Sequence, residues 1–140
     1  MSAEKLSRFF NQYVTAFKHY DLSQVSACYH LPCTLHTPDK VILLTELQQC
    51  KQVFGDIFSQ LQQAKTSDII VKKASYSRVT SEVLLGSIEW DFIDSQGAVF
   101  ADFCATYHLI QIKDELKIIS VVSHDLSSAI VLAHKFSLTA

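Results

Sequence analysis

The first chemically useful pair in the sequence is Tyr13 and Phe17, two aromatic residues four positions apart. On a helix, side chains at this spacing lie on the same face and can contact one another. Such a pair is often ordinary core packing, but a buried phenol still needs a hydrogen-bond partner. Tyr13 is therefore a candidate donor to a bound molecule, with Phe17 beside it in the wall of the same site.

His36 and Asp39 form a second candidate pair, suited to moving a proton. An imidazole changes charge near neutral pH, and a nearby carboxylate can orient it or act as a base itself. The simpler alternative is a partly exposed strand histidine followed by a Pro38-Asp39 turn, in which Asp is a common residue. Both residues are catalytic candidates whose role depends on how the chain folds around them.

Trp90 and Tyr107 lie in two segments where apolar and polar residues alternate. A period of two is typical of a strand with one buried face, so both rings should point inward. Each ring would line a pocket or fill the core, and Tyr107 would be a second polar group inside. The neighbours predicted to share these faces are Leu84, Ile88, Phe92, Phe103, Ala105 and Leu109.

Two further clusters are expected to have no catalytic or metal-binding role. Glu89, Asp91 and Asp94 look like paired catalytic carboxylates, but an alternating strand usually turns such residues to solvent. Four soft ligands also occur within nine residues, which is cramped for zinc, whose ligands come in close pairs separated by a longer loop. We expect no metal site at these ligands, which are Cys28, His30, Cys33 and His36.

Helices that come first in the chain and strands that follow must position these residues. Apolar intervals of three and four predict a helix over Ser2–Tyr20, a short one around Val25–Tyr29 that ends at Pro32, and a third from Thr45. The tail Ser127–Phe136 is either a final helix or a strand end that packs against a partner. Alternation and turn residues predict strands at Thr34–Thr37, Val41–Leu44, Ile69–Thr80, Ser81–Ile93, Val99–Lys113 and Leu116–Asp125.

Short polar connections between the long strands, at Asp94–Gly97 and Lys113–Glu115, suit antiparallel hairpins. Helices followed by such a sheet predict an α+β, cone-shaped fold, with N-terminal helices packed on a curled, mostly antiparallel sheet. A sheet that curls around a long helix encloses an apolar cavity, which is a common site for a small molecule.

Two stretches make the whole chain similar to a known superfamily. The first is Tyr13–Leu22, where a helix is followed by an Asp-Leu turn into a second helix. The second runs from Ala105–Leu109 through Lys113–Ile118 to Ser123–Asp125, as a long strand, a polar turn and a final strand. On these patterns, residues 1–140 resemble a single domain of the nuclear transport factor 2-like superfamily, which includes ketosteroid isomerase-like and SnoaL-like (polyketide cyclase) proteins.

The resemblance implies a pocket between the first helix and the concave face of the sheet, and a homodimer through the opposite face. It places Tyr13 where ketosteroid isomerase-like members have a tyrosine that stabilises an oxyanion. We expect the outer-face residues Val83, Leu85, Ser87, Cys104, Thr106 and Ile110 to form the dimer contact.

The same resemblance is incomplete at the other catalytic positions of the isomerase. That chemistry needs a carboxylate base in the first hairpin and a protonated carboxylic acid on a later strand. The first position here reads Thr37 or Pro38, with Asp39 displaced from it. The second reads Ala105 or Thr106, so steroid isomerisation is not carried over to this chain.

Composition narrows the possible functions further. With 49% apolar and 19% charged residues, the 140-residue chain should form one ordered domain with its own core. A net charge of −2 without a basic block argues against nucleic-acid binding. No apolar run reaches the roughly 20 residues of a membrane helix, and no signal-peptide pattern is present, so we expect a cytoplasmic protein away from membranes. Its four cysteines should be reduced, and without a glycine-rich phosphate loop no cofactor is expected.

The sequence therefore predicts a homodimeric domain that binds a small apolar molecule. The pocket residues are predicted to be Tyr13, Phe17, His36, Trp90 and Tyr107. The first alternative is a cofactor-independent isomerase, cyclase or hydratase acting on an apolar carbonyl compound. In that enzyme Tyr13 or Tyr107 would stabilise an enolate, and His36 or Asp39 would move the proton. The second alternative is a homodimeric protein-interaction module whose cavity is filled by its own aromatic side chains.

Overall fold

The computed structural model of the chain describes residues 3–138. Three helices occupy the N-terminal half, at α1 (Ala3–Lys18), α2 (Leu22–Ala27) and α3 (Leu47–Gln63). The strands are β1 (Tyr29–Thr37), β2 (Lys40–Leu44), β3 (Thr66–Arg78), β4 (Val83–Asp94), β5 (Val99–Ile112), β6 (Glu115–His124) and β7 (His134–Lys135). The predicted α+β fold is confirmed.

All seven strands form one sheet in the order β2-β1-β6-β5-β4-β3-β7. Neighbouring strands are antiparallel except for β1 and β6, which run parallel. Because β1 joins β6 rather than β3, the first hairpin lies at one end of the sheet. The four long strands β3 to β6, joined by hairpins, curl around α1. This arrangement is the curled, mostly antiparallel sheet that the alternation pattern predicts.

The two long helices begin and pack for local reasons. On α1 the fully buried side chains Leu6, Phe10 and Val14 recur every four residues, which directs one apolar face at the sheet. At the start of α3, the Gln49 side chain accepts hydrogen bonds from the backbone N–H groups of Thr45 and Glu46, at 2.9 and 3.1 Å. The predicted start of this helix at Ser2 lies outside the described residues.

The predicted end of the second helix at Pro32 is wrong. Helix α2 ends at Ala27, and Pro32 lies inside β1. The backbone N–H of Ile118 donates to the carbonyl of Cys28 at 2.8 Å, so pairing with β6 begins where the helix stops. The pairing of β1 with β6, a strand distant in sequence, is a tertiary interaction, and it prevails over the helical spacing of Val25 and Tyr29.

A final helix over the tail is also wrong. Only Leu126–Ser128 forms a single 3₁₀ turn, and the chain then runs extended until β7 pairs antiparallel with the edge of β3. The tail crosses the outer face of the sheet, where Ile130 and Leu132 are hydrogen-bonded to the buried side chains of Ser87 and Ser75. The segment therefore packs on its own chain.

The inner face of the sheet carries the residues that the alternation assigned to it. Phe103 is half-buried, and the others predicted for this face are buried. The buried set is Leu84, Ile88, Trp90, Phe92, Ala105, Tyr107 and Leu109. No helix among residues 3–138 combines the length and the apolar character needed to cross a membrane.

Candidate functional site

A cavity of about 580 Å³ lies between α1, α3 and the concave face of the sheet. Four of the predicted pocket residues reach it from the two sides: Tyr13 and Phe17 from α1, and Trp90 and Tyr107 from β4 and β5. His36 also borders it. The residues singled out from their spacing thus surround one space, although they come from four separate elements.

Three phenols at this cavity form what we call the tyrosine cluster, consisting of Tyr13, Tyr29 and Tyr107. The hydroxyls of Tyr13 and Tyr29 lie 2.7 Å apart, and both side chains are buried. The indole Nε1–H of Trp90 donates to the hydroxyl of Tyr107 at 3.2 Å. Burial raises the pKa of Tyr107, and the hydrogen bond from Trp90 and the nearby hydroxyl of Tyr13 oppose this shift.

The tyrosine cluster holds more donors than it can use internally. Three phenol O–H groups and the Trp90 N–H give four donors, whereas at most three links join the four side chains. If the links run outward from Trp90, the O–H of Tyr29 is left over. In the opposite direction, the O–H of Tyr107 is left over, and if both neighbours donate to Tyr13, the O–H of Tyr13 is left over. In each arrangement, one O–H at the cavity wall needs an acceptor from outside the cluster.

All three phenols stay protonated over the physiological pH range. Burial is the main cause that raises the pKa of Tyr13 and of Tyr29 well above the usual value. The neighbouring phenols add to the shift at Tyr13, whereas at Tyr29 the phenol of Tyr107 adds to it and the hydrogen bond with Tyr13 opposes it. Burial also raises the pKa of Tyr107. The cluster therefore offers neutral hydrogen-bond donors and carries no negative charge of its own.

His36 lies at the mouth of the cavity. Strand pairing sets it opposite Val122 of β6, on the sheet face that also carries Thr106, and its side chain is exposed. Its contribution to the cavity is therefore at the rim, away from the tyrosine cluster. This placement follows from strand alternation, because the neighbouring Leu35 takes the inward direction and is buried.

Asp39 is the carboxylate of the first hairpin, and it too lies at the cavity mouth. The Thr37 hydroxyl donates to Asp39 Oδ1 at 2.7 Å, and this bond is the main cause that lowers the pKa of the Asp39 carboxyl. The Asp39 side chain is therefore hydrogen-bonded to Thr37, whereas the sequence predicts a pair with His36. A fully exposed carboxylate with a lowered pKa is a weak base.

The sequence did not indicate several polar residues of the cavity, among them Tyr29, Asp56 and Gln60. Tyr29 was assigned to the second helix, although it starts β1 and completes the tyrosine cluster. Asp56 and Gln60 reach the cavity mouth from α3. A signal for this pair existed, because they are four residues apart and fall within the apolar stripe that includes Val53 and Ile57.

The acidic and soft-ligand clusters lie away from the cavity or are dispersed. Asp91 faces the outer side of the sheet, where its Oδ1 lies 3.0 Å from the Lys72 ammonium. Cys28 and Cys33 are buried, while His30 is exposed at the surface of β1. Within residues 3–138, no group of three or more His, Cys, Asp or Glu side chains is arranged to hold a metal ion.

Comparison with known proteins places this geometry in a family. The sequence model of the family described as NTF2-like protein (DUF6841) matches residues 3–126. A search of curated proteins finds no match.

Solved structures agree on the fold. An NTF2-like protein of unknown function from Shewanella oneidensis has a TM-score of 0.72 at 12% identity, over 89% of this chain and 100% of its own. A candidate ketosteroid isomerase from Shewanella frigidimarina has a TM-score of 0.69 at 15% identity, over 87% and 94% of the two chains. A cystatin-like domain of unknown function from Nostoc punctiforme has a TM-score of 0.71 at 12% identity, over 89% and 78%.

At these identities the solved structures establish the fold alone, and the family match covers most of the chain. The predicted resemblance is therefore confirmed: the chain belongs to the family NTF2-like protein (DUF6841) and has the cystatin-like α+β fold.

Proposed function

We propose that the chain binds a small apolar molecule that carries a hydrogen-bond-accepting oxygen. The observation that supports this most strongly is the unused O–H donor of the tyrosine cluster, which faces the cavity. A buried donor left without an acceptor is costly, by about 1–3 kcal/mol, so a ligand oxygen there would be favoured.

The walls of the cavity suit an apolar ligand body. They are largely aromatic and aliphatic, with Phe17, Phe54 and Phe103 among them. The volume of about 580 Å³ falls within the range of about 300 to 1,000 Å³ that is usual for small-molecule sites. We infer a ligand whose hydrophobic part contacts these walls and whose oxygen reaches the tyrosine cluster.

The ligand oxygen is best supplied by a neutral carbonyl group, as in a ketone or an ester. The phenols remain protonated, so they donate to a lone pair without supplying a charge. A carboxylate at the same place would be taken out of water without a cation beside the tyrosine cluster, which is costly. The cation at the cavity, Lys40, belongs to the exposed rim.

A cofactor-independent enzyme acting on an apolar carbonyl compound is the second candidate function. The tyrosine cluster favours it, because an O–H that binds a carbonyl would also stabilise the enolate formed from it. A base must lie within hydrogen-bonding distance of the proton that it removes. The carboxylates bordering the cavity, Asp39 and Asp56, are both exposed at its mouth, which favours binding over proton transfer.

We also propose that a second copy of the chain covers the part of the outer sheet face that the tail leaves open. The strand register sets Val41 opposite His36, and His36 opposite Val122. Val41, Leu43 and Val122 are 61%, 60% and 36% exposed on that face. The tail covers the residues around Ser87, so the homodimer contact is expected on β2, β1 and β6.

The binding proposal can be tested with the fluorescent ketone Prodan and its parent dimethylaminonaphthalene, which has the same aromatic body but no carbonyl. The expected result is that Prodan binds more tightly than its parent and that at least one of Tyr13→Phe, Tyr29→Phe and Tyr107→Phe removes most of this preference. Equal affinity of both probes for the unchanged protein, or a preference that all three variants retain, would overturn the proposal. Native mass spectrometry of freshly purified protein should reveal any apolar carbonyl compound that remains bound.

A further inference from the structure

Residues 126–138 form a strap across the outer face of the sheet. The Ser87 hydroxyl donates to the carbonyl of Ile130 at 2.6 Å, which fixes the strap over β4. Further along, the backbone N–H groups of Leu132 and Ala133 donate to the hydroxyls of Ser75 and Ser77 on β3, at 2.9 and 3.0 Å. The strap is therefore held mainly through its backbone, by three serines of two neighbouring strands.

The strap ends in an aromatic anchor. Phe136 is the one side chain that the structure buries within residues 126–138, with 8% of its surface exposed. Its backbone N–H donates to the carbonyl of Ala74 at 3.1 Å, so the anchor sits at the edge of β3. The ring packs against Tyr76 and Phe10, with ring centres 6.0 and 5.9 Å away. The strap thus begins on the outer face and reaches the inner side of the fold through Phe136.

Phe10 connects this anchor with the tyrosine cluster. Its ring centre lies 4.9 Å from that of Tyr107 and 6.0 Å from that of Tyr13. A Cβ added at Gly86 would lie 3.8 Å from Phe10 Cε2, an ordinary contact distance, so the Phe10 ring packs against β4 at this position. Phe10 therefore lies between the two cavity phenols on one side and Phe136 on the other.

We infer that Phe136 is a positioning residue for the cavity: the strap holds Phe136 against Phe10, and Phe10 in turn holds Tyr107 and Tyr13 in place. Closely packed aromatic side chains transmit displacement because the interior has few voids into which they can relax. Release of the strap removes Phe136 from one side of the Phe10 ring. Phe10 can then move, and Tyr107 and Tyr13 lose the ring that holds them in place. The strap is distant in sequence from the cavity residues and lies on the opposite face of the sheet, and it sets the positions of the phenol donors.

The single tryptophan gives a direct readout of this effect. The Trp90 indole N–H donates to the Tyr107 hydroxyl, and the chain contains no other tryptophan, so its ¹⁵N-labelled indole group gives one NMR cross-peak. We expect Phe136→Ala to shift this cross-peak and to speed its exchange with solvent. The matched control is Val131→Ala, which shortens a strap side chain that is 68% exposed and should leave the cross-peak in place.

Two further variants separate positioning from general loss of structure. Phe136→Leu keeps an apolar side chain against Phe10 and should restore most of the original cross-peak position. Combined Ser75→Ala and Ser77→Ala changes loosen the strap while keeping Phe136, and should shift the cross-peak in the same direction as Phe136→Ala by a smaller amount. The inference is overturned if the indole cross-peak stays unchanged while the strap amides of Phe136→Ala show that the strap is released. If Phe136→Ala does not fold, an unchanged cross-peak in the serine variant overturns it instead.

The consequence for ligand binding rests on the proposed function, whereas the indole readout does not. If Prodan binds as proposed, Phe136→Ala should weaken its binding and Val131→Ala should not. If Prodan fails to bind the unchanged protein, the proposed function fails while the NMR comparison still decides whether Phe136 positions Tyr107. An affinity for Prodan that Phe136→Ala leaves unchanged would contradict the inference alone.

Discussion

The hydroxyls of Tyr13 and Tyr29 lie 2.7 Å apart in the buried interior, although one residue belongs to a helix and the other starts a strand. This contact joins α1 to the first hairpin at the cavity wall. Tyr13 also stands between the other two phenols of the cluster, with its ring centre 6.1 Å from that of Tyr29 and 6.1 Å from that of Tyr107.

We expect Tyr13→Phe and Tyr29→Phe each to lower the free energy of unfolding by about 1 kcal/mol, the usual net contribution of one hydrogen bond. Both variants break the same 2.7 Å bond, so the double variant should cost less than the sum of the two single variants. Urea denaturation of both variants and of the double variant measures these costs. A cost of the double variant that equals the sum would contradict a hydrogen bond shared by Tyr13 and Tyr29.

Stability should fall at alkaline pH because of the same phenols. The pKa values of Tyr13 and Tyr29 are raised in the folded protein, mainly by burial, while in the unfolded chain they return to about 10. Below that pH both states are protonated and the contribution is complete. Above it the unfolded chain loses protons that the folded protein retains, so the free energy of unfolding decreases as pH rises. The phenolate absorbance of the cluster should therefore appear together with unfolding, and this step should be smaller in Tyr29→Phe.

The cysteine thiols should be unreactive in the folded protein. All four are free and buried, and burial raises the pKa of Cys28 to about 12 and that of Cys33 to about 11. Because the thiolate is the reactive form, Ellman's reagent at mildly alkaline pH should label them only after denaturant is added. Val131→Cys supplies an exposed thiol in the same chain and should be labelled at once. Rapid labelling of the unchanged folded protein would show that these side chains are accessible.

The open part of the outer sheet face should hold a homodimer together. We expect light scattering at micromolar concentrations to give the mass of a dimer, and Leu43→Asp to give that of a monomer, because it places a charge in an apolar contact. The control is Val79→Asp, since Val79 is 57% exposed at the turn between β3 and β4 and Leu43 is 60% exposed on the face itself. A monomeric unchanged protein, or equal effects of both variants, would count against this surface.

Much of the cavity wall follows from local periodicity. A repeat of about 3.6 residues turns Tyr13 and Phe17 to the same side of α1, and a repeat of two turns Trp90 and Tyr107 inward. Both repeats are properties of the backbone, so they assign a face without knowledge of what that face contacts. The same alternation directs Leu35 inward and leaves His36 exposed, but it gives no indication of which strand lies next to β1.

Other features depend on contacts between distant parts of the chain. Tyr29 is in β1 because Cys28 and Ile118 share a backbone hydrogen bond, which no pattern near Tyr29 indicates. The tail lacks a helix because serines of β3 and β4 bind its backbone and Phe136 packs against Phe10.

The sequence by itself thus determined most of the elements, their buried faces and the family of the fold, since these depend on neighbouring residues along the chain. Only the tertiary structure decided that Tyr13, Tyr29 and Tyr107 meet at one cavity wall with an unused donor. Hydrogen bonds and ring contacts depend on distances of a few ångströms between atoms, and strand register and chain crossing set those distances.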